Sequence, residues 1–358
     1  MISHTKKSVR LLLVFSLYFF LPFSCIEKLD FLDETQEVQL VIYGLLTDIP
    51  ERQVVSVSRT SAIGLAPMGV SDAKVSLLTA SGGRFRYFLS GFGEYTLEGF
   101  AAVDGESYAI EVVLENKVYM STFEKVPELL ADDEISFEFN KEPFRTESPE
   151  SVFTVFSETT LPNSTDPIYL RWMVEETYFW PLVYLPGTGF PPPPPPPCFI
   201  SDVFEPNRIN LFDGSGTSTR KGNFVLGKRL VDNSFLYPFF ASVKQLSINR
   251  EAYEYWEKIK IVIDNQGSLF DIPPASVFGN ISNVEDRNET VLGYFEVAKT
   301  KVTRIYTTRA DVPFNLVDPC LYIPNKPENS YASECTSCEG RAQGRRWTND
   351  APDWWKFD

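Results

Sequence analysis

Histidine is all but missing: the single one is His4, and none follows it. That absence excludes Ser-His-Asp and Cys-His nucleophilic machinery from the body of the chain, along with HExxH metalloprotease chemistry and imidazole zinc sites. Catalysis by a carboxylate pair survives, because it needs only Asp and Glu. With 48 acidic residues present, however, finding two of them identifies nothing. Basic residues are in deficit, 33 against those 48, for a formal charge of −15. This balance argues against nucleic acid as a partner and against docking on anionic headgroups through the body of the protein. There is no Walker loop, dinucleotide fingerprint, internal repeat or recognisable catalytic motif, so no cofactor, no metal and no enzymatic activity is expected.

What the N-terminus holds is a secretory signal. Lys6, Lys7 and Arg10 precede the apolar run LLLVFSLYFFLPFS, which ends at Cys25. A basic stretch, an apolar core of about a dozen residues and a small residue before the cut site define such a segment. The run is short for a bilayer span, which needs ~20 residues. Leu21-Pro22-Phe23-Ser24-Cys25 resembles a lipobox, in which the thiol is acylated and becomes the first residue of the exported chain. Residues 1–24 are therefore expected to be removed, 25–36 to form a lipidated tether, and Cys25 to hold the chain to a lipid bilayer. The alternative is a plain secreted protein whose first cysteine merely lies near the cut. Cleavage would leave 30 basic against 48 acidic residues, a charge of −18. Glu27, Asp30, Asp33 and Glu34 suit a solvated tether and resemble the acidic surface-export signal of many Bacteroidota lipoproteins.

Four cysteines remain: Cys198, Cys320, Cys335 and Cys338. In an exported chain an even number points to two disulfides, with three connectivities open. Cys335-Thr-Ser-Cys338 also has the form of a redox dithiol or half a zinc site. Yet it sits in a polar tail without a βαβ context and without a second C-x-x-C, so structural disulfides are favoured.

With 43% hydrophobic and 14% aromatic residues the chain can bury a sizeable core. The reading is mainly β. Residues 37–128 hold about seven short strand-like segments, QLVIYGLL, QVVSVSRTS, AKVSLLTA, RFRYFLS, GEYTLEGF, SYAIEVVLE and KVYMSTFEKV. Tyr108, Ile110, Val112 and Leu114 alternate with the period of a half-buried strand, and Gly-rich turns separate the segments. That pattern predicts an immunoglobulin-like antiparallel sandwich. Residues 129–312 are expected to form a second, larger β-rich domain. Its ADDE stretch (131–134) reads as a solvated acidic turn, and Pro191 to Pro197 as a stiff polyproline II loop of ~3.1 Å per residue. One amphipathic helix near 249–261 is expected, capped by Asn249, with Ala252, Tyr255, Trp256 and Ile259 on its apolar face. Residues 313–358 read as a cysteine-containing tail.

Four blocks occur in order: YLRWMVEETYFW, CFISDVFEPNRINLF, SINREAYEYWEKI and LFDIPPASVFGNISNVEDRNETVLGYF. Together they resemble the Bacteroidota proteins catalogued as domain of unknown function 4249. Cys335, Cys338, Thr348, Pro352, Asp353 and Trp354 continue the likeness towards the C-terminus. The resemblance implies an outer-membrane lipoprotein, lipid-anchored at the cell surface and linked with a TonB-dependent nutrient transporter. It supplies no catalytic residue. Its shared Asp271, Asn280, Asn283 and Asp286 have two readings. As turn residues they cap local backbone groups. As a site they would converge on a carbohydrate, peptide or Ca²⁺ at a loop surface. The first is favoured, because tight turns call for these residue types.

The function expected is thus noncatalytic: ligand capture for, or partnership with, an outer-membrane transporter. The alternatives are a surface hydrolase using a carboxylate pair and an adhesion or envelope-scaffolding protein. Fold alone does not choose among them.

Overall fold

Alternation of side chains along the segments decides which faces meet. The computed structural model describes residues 38–61, 65–184, 193–216, 220–265 and 277–356. Cys25, Asp271, Pro191 and Pro192 lie outside them. The protein is mainly β. The N-terminal strands are β1 (Leu40–Thr47), β2 (Glu51–Arg59), β3 (Met68–Gly69), β4 (Lys74–Thr79), β5 (Arg84–Arg86), β6 (Phe88–Gly91), β7 (Glu94–Phe100), β8 (Ser107–Leu114), β9 (Lys117–Ser121) and β10 (Glu124–Lys125). Those that follow are β11 (Asp132–Pro143), β12 (Pro149–Thr160), β13 (Tyr169–Trp180), β14 (Cys198–Val203), β15 (Asn210–Asp213), β16 (Lys221–Leu230), β17 (Phe239–Ile248), β18 (Ile281–Asn283), β19 (Val291–Leu292), β20 (Phe295–Thr307) and β21 (Arg346–Thr348).

A 12-stranded sheet runs β21-β14-β13-β17-β20-β1-β2-β7-β6, with β15, β19 and β3 pairing off this path. A 6-stranded sheet, β18-β9-β8-β4-β5 with β10, faces its N-terminal half, and a 3-stranded sheet, β11-β12-β16, faces the other half. The first core holds Ile42, Leu46, Val55 and Val57 from one sheet against Val75, Leu77, Ile110 and Val112 from the other. Strands from beyond residue 128 complete both sheets of this sandwich. β20 pairs in parallel with β1 (Gly44↔Phe295), and β18 pairs with β9 (Asn283↔Tyr119).

The strand β13 is buried on both faces. Leu170, Trp172, Val174, Tyr178 and Trp180 enter the second core, while Tyr169 and Met173 meet the helix α1 (Arg250–Asp264) on the opposite face. Ala252 and Tyr255 of α1 are buried, and Trp256 and Ile259 pack beside them, as the apolar stripe predicts. The helix is three residues longer than expected at its C-terminus. Asn249 holds the N-cap position without a side-chain cap bond. Its amide instead donates to Glu124 Oε2 at 3.1 Å and to the Lys125 carbonyl at 2.9 Å, tying the helix start to the sandwich.

The ADDE stretch is not a solvated turn. Asp132 opens β11, and Asp133 accepts from Trp172 Nε1 at 2.7 Å and from Thr159 Oγ1 at 2.7 Å. A carboxylate that can satisfy a buried indole is worth more inside the sheet than in a loop.

The tail is closed by two disulfides, Cys198–Cys338 and Cys320–Cys335. Each cysteine of the C-x-x-C thus pairs outside the motif, which leaves neither a dithiol nor zinc ligands. Short helices α2 (Ser333–Thr336) and α3 (Cys338–Ala342) place these two cysteines in the second core. Among the described residues no helix is long and apolar enough to cross a membrane.

Candidate functional site

The apolar start of β13, YLRWMV, should not carry a lone charge, since a buried ion needs a partner. Arg171 has one in Glu296 of β20. Arg171 Nη2 bonds Glu296 Oε1, and both groups are buried. Tyr43 OH donates to Glu296 Oε1 at 2.9 Å and accepts from Arg171 Nη2 at 3.2 Å. Trp256 Nε1 donates to Glu296 Oε2 at 2.9 Å, and its ring lies 4.1 Å from the Arg171 guanidinium carbon. Three strands and α1 therefore meet at one ion pair. Burial lowers the Arg171 pKa, but Glu296 and Tyr43 outweigh it and hold the guanidinium charged. Burial, then Glu296, pushes the Tyr43 phenol above its ordinary range, so it stays protonated as a donor.

Above this pair opens a cavity of about 310 Å³, with Met173, Val203, Ile209 and Ile259 on its apolar walls and Tyr43 and Arg171 at its base. A second cavity of about 450 Å³ adjoins it, sharing Trp172, Glu205, Arg208, Ile209 and Asn210 and adding Asn207, Asn223 and Lys260. The result is one groove between α1, β13 and the segment 204–210. Its polar wall is fixed. Arg208 donates to Asn210 Oδ1 at 2.9 Å and to the Val225 carbonyl at 2.7 Å, while Asn210 Nδ2 donates to the Leu226 carbonyl at 2.7 Å. The acidic side chains lining it each face a cation: Glu205 with Arg208 at 3.7 Å, Glu175 with Arg346 at 3.6 Å, and Asp264 with Lys260 at 2.5 Å. Apolar walls with amide, guanidinium and aromatic groups around them suit a ligand that is part apolar and part hydrogen-bonding.

The sequence-predicted residues lie elsewhere. Asn280 Nδ2 donates to the Phe295 carbonyl at 2.8 Å and to Glu124 Oε1 at 3.1 Å, and its Oδ1 accepts from the Phe295 amide at 2.9 Å. It bridges two chain segments. Asn283 Oδ1 accepts the amides of Glu285 (2.9 Å) and Asp286 (3.2 Å), and Asp286 Oδ1 accepts that of Asn288 (3.0 Å). These are side chains capping local backbone. Asn283 Nδ2 also donates to Glu289 Oε2 at 2.6 Å. Among the described residues no group of three or more His, Cys, Asp and Glu is placed to hold a metal.

Sequence reasoning missed the groove, although its signal was present: Arg171 inside YLRWMV and Glu296 inside GYFEVA are single charges in otherwise apolar stretches. Three of the four blocks that carry the family likeness converge here, supplying Arg171 to Glu175, Val203 to Asn210, and Trp256 with Ile259.

Fold and groove together define a mainly β protein with a preformed cleft and a disulfide-closed tail. The chain belongs to the family described as Domain of unknown function (DUF4249), whose family model matches residues 27–304. The match ends before Cys320, Cys335 and Cys338. Among solved structures the chain is similar to the native conformation of E. coli alpha-2-macroglobulin, at 11% identity and a TM-score of 0.20. That alignment covers 76% of this chain and 14% of the macroglobulin. It is also similar to a DUF4785 family protein from Legionella pneumophila, at 12% identity and a TM-score of 0.18, over 57% of this chain and 52% of that one. No curated protein matches it.

Proposed function

We propose that this protein is a noncatalytic outer-membrane lipoprotein, anchored through acylated Cys25 at the cell surface. It captures a carbohydrate or peptide ligand for, or docks onto, a TonB-dependent nutrient transporter. The observation that carries the reading is the groove between α1, β13 and 204–210, on which three family blocks converge. Aromatic faces and fixed amides suit capture. Proton transfer would call for a carboxyl held ready in the cleft, whereas the acidic groups lining this one are tied to cations. Two disulfides agree with an oxidising compartment.

The experiment is gentle extraction of the protein from native membranes, with mass spectrometry of what co-elutes. A groove-filling Ile209→Trp variant serves as comparison. The wild type should retain a transporter subunit or a small ligand, and Ile209→Trp should lose the ligand while unfolding at the same temperature. Recovery of wild type alone, or of the same set from both proteins, would overturn the proposal.

A further inference from the structure

The body begins at β1, and the register fixes what surrounds that start. Leu40 pairs with Arg59 at the end of β2, and Arg59 pairs with Met68 of β3. Gly93 accepts from the Val57 amide at 2.8 Å, so the β6–β7 turn lies at the same end. Gly69 and that turn touch: a Cβ on Gly69 would fall 2.2 Å from the Phe92 carbonyl oxygen. The chain therefore enters the body beside Met68 and Phe92.

This end is apolar where it meets solvent. Phe92 is 99% exposed, and Leu65 (69%), Phe88 (63%), Met68 (53%) and Leu89 (46%) accompany it. Phe92 also sits at φ 49° between Gly91 and Gly93, a backbone region that an aromatic residue occupies at a cost. Such a side chain, strained and fully solvated, contributes nothing to the fold that holds it. Clustered exposed apolar groups mark a surface that meets something else. Most of the nearby charges are paired, Arg59 with Glu115 at 2.9 Å, Lys117 with Glu289 at 3.0 Å, and Arg52 with Glu94 at 3.7 Å, while Arg86 lies 5.6 Å from the Phe88 ring centroid. Attraction to phosphate is thereby weakened, and apolar burial is the larger driving force.

What covers the surface follows from the chain that leads to it. Fourteen residues separate Cys25 from Leu40, a reach of at most ~50 Å. On a tether of that length even a weak contact is made at an effective concentration on the order of millimolar. We propose that Leu65, Met68, Leu89 and Phe92 form a membrane-contact face that dips into the headgroup–acyl boundary of the bilayer holding Cys25. The proposal rests on the lipoprotein reading above. It adds that the body lies on the bilayer at its β1 end rather than swinging free.

The test places the photoreactive residue benzoylphenylalanine at Phe92, at Met68 or, as control, at the exposed Tyr322 of the tail, in the acylated chain. Each protein is reconstituted in phosphatidylethanolamine vesicles containing phosphatidylglycerol. Irradiation should cross-link lipid at positions 92 and 68 and not at 322. The yield should be unchanged by high salt or by exchanging phosphatidylglycerol for phosphatidylcholine. No lipid adduct at 92 and 68, equal adducts at 322, loss of adducts in high salt, or adducts to protein alone in native membranes would each overturn the contact face. The mass of the mature terminus is read on the same sample. An unmodified Cys25 defeats the lipoprotein reading itself, whereas an acylated Cys25 without lipid adducts defeats only this inference.

Discussion

Arg171 and Glu296 lie 125 residues apart in sequence and share one buried hydrogen-bonded cluster. Removing one partner leaves the other charged, dry and unmatched, a change that costs about 3–5 kcal/mol. Arg171→Met should therefore shift the urea midpoint far more than Arg171→Met combined with Glu296→Gln, which removes both charges. Phe92 gives the opposite case. Its left-handed conformation costs roughly 1–2 kcal/mol for an L side chain, and 99% exposure means that no packing offsets it. Phe92→Gly is expected to raise the stability of the soluble body by about 1 kcal/mol in denaturant titration, even as it removes the membrane-contact ring. Glu289 makes a pH prediction. Burial raises its pKa, but Asn283, Lys117 and Tyr119 outweigh it and hold the carboxyl below its ordinary value. A group depressed in the folded state stabilises above its unfolded pKa of about 4.3, and that contribution is lost as pH falls through the lower folded value. Glu289→Gln should flatten the loss of stability between neutral and acid pH, as read by unfolding midpoints at a series of pH values.

At the scale of elements, periodicity identified strands and faces but not partners. Tyr108, Ile110, Val112 and Leu114 alternate in sequence, and all four are buried in β8. The helix stripe was equally legible, because Ala252 and Tyr255 recur at the spacing of one helical face. Asp133 was misread because a run of acidic residues looks like a solvated turn, and only the distant Trp172 indole makes a strand position favourable. The parallel pairing of β1 with β20 left no local trace, since alternation reports which side is buried and not which neighbour lies alongside. The disulfides were legible as a pair and not as a pairing. Their contribution can be measured. Cys320 and Cys335 are separated by 15 residues, so the double Ser variant should lose about 3 kcal/mol. Cys198–Cys338, with a separation of 140, should be worth about 5 kcal/mol in the chain-entropy account. Urea midpoints of the two double Ser variants against wild type would rank them.

For the whole molecule, the long sheet sets distances. From the level of Leu40 to that of Thr307 the paired strands climb some 16 residues, roughly 50 Å at strand rise. The groove residues Arg171 and Glu296 lie partway along that climb, and the disulfide-bearing tail is at the far end. At this scale the sequence was legible as a mainly β body whose only histidine is His4. It did not reveal the groove, because that site is assembled from strands and a helix whose contacts span more than a hundred residues. The tail has a further consequence through β21. Its three residues, Arg346–Thr348, form the last rung of the 12-stranded sheet and occupy the hydrogen-bonding edge of β14. Trp180 donates to the Glu334 carbonyl at 2.7 Å, and Cys198–Cys338 bolts the same region down. A chain cut after residue 312 would bare the backbone edge of β14 at Phe199 to Ser201, and an unpaired edge is a template for another strand. The short terminal rung thus covers part of that edge, and it stays there only while the thiols of Cys198 and Cys338 remain joined.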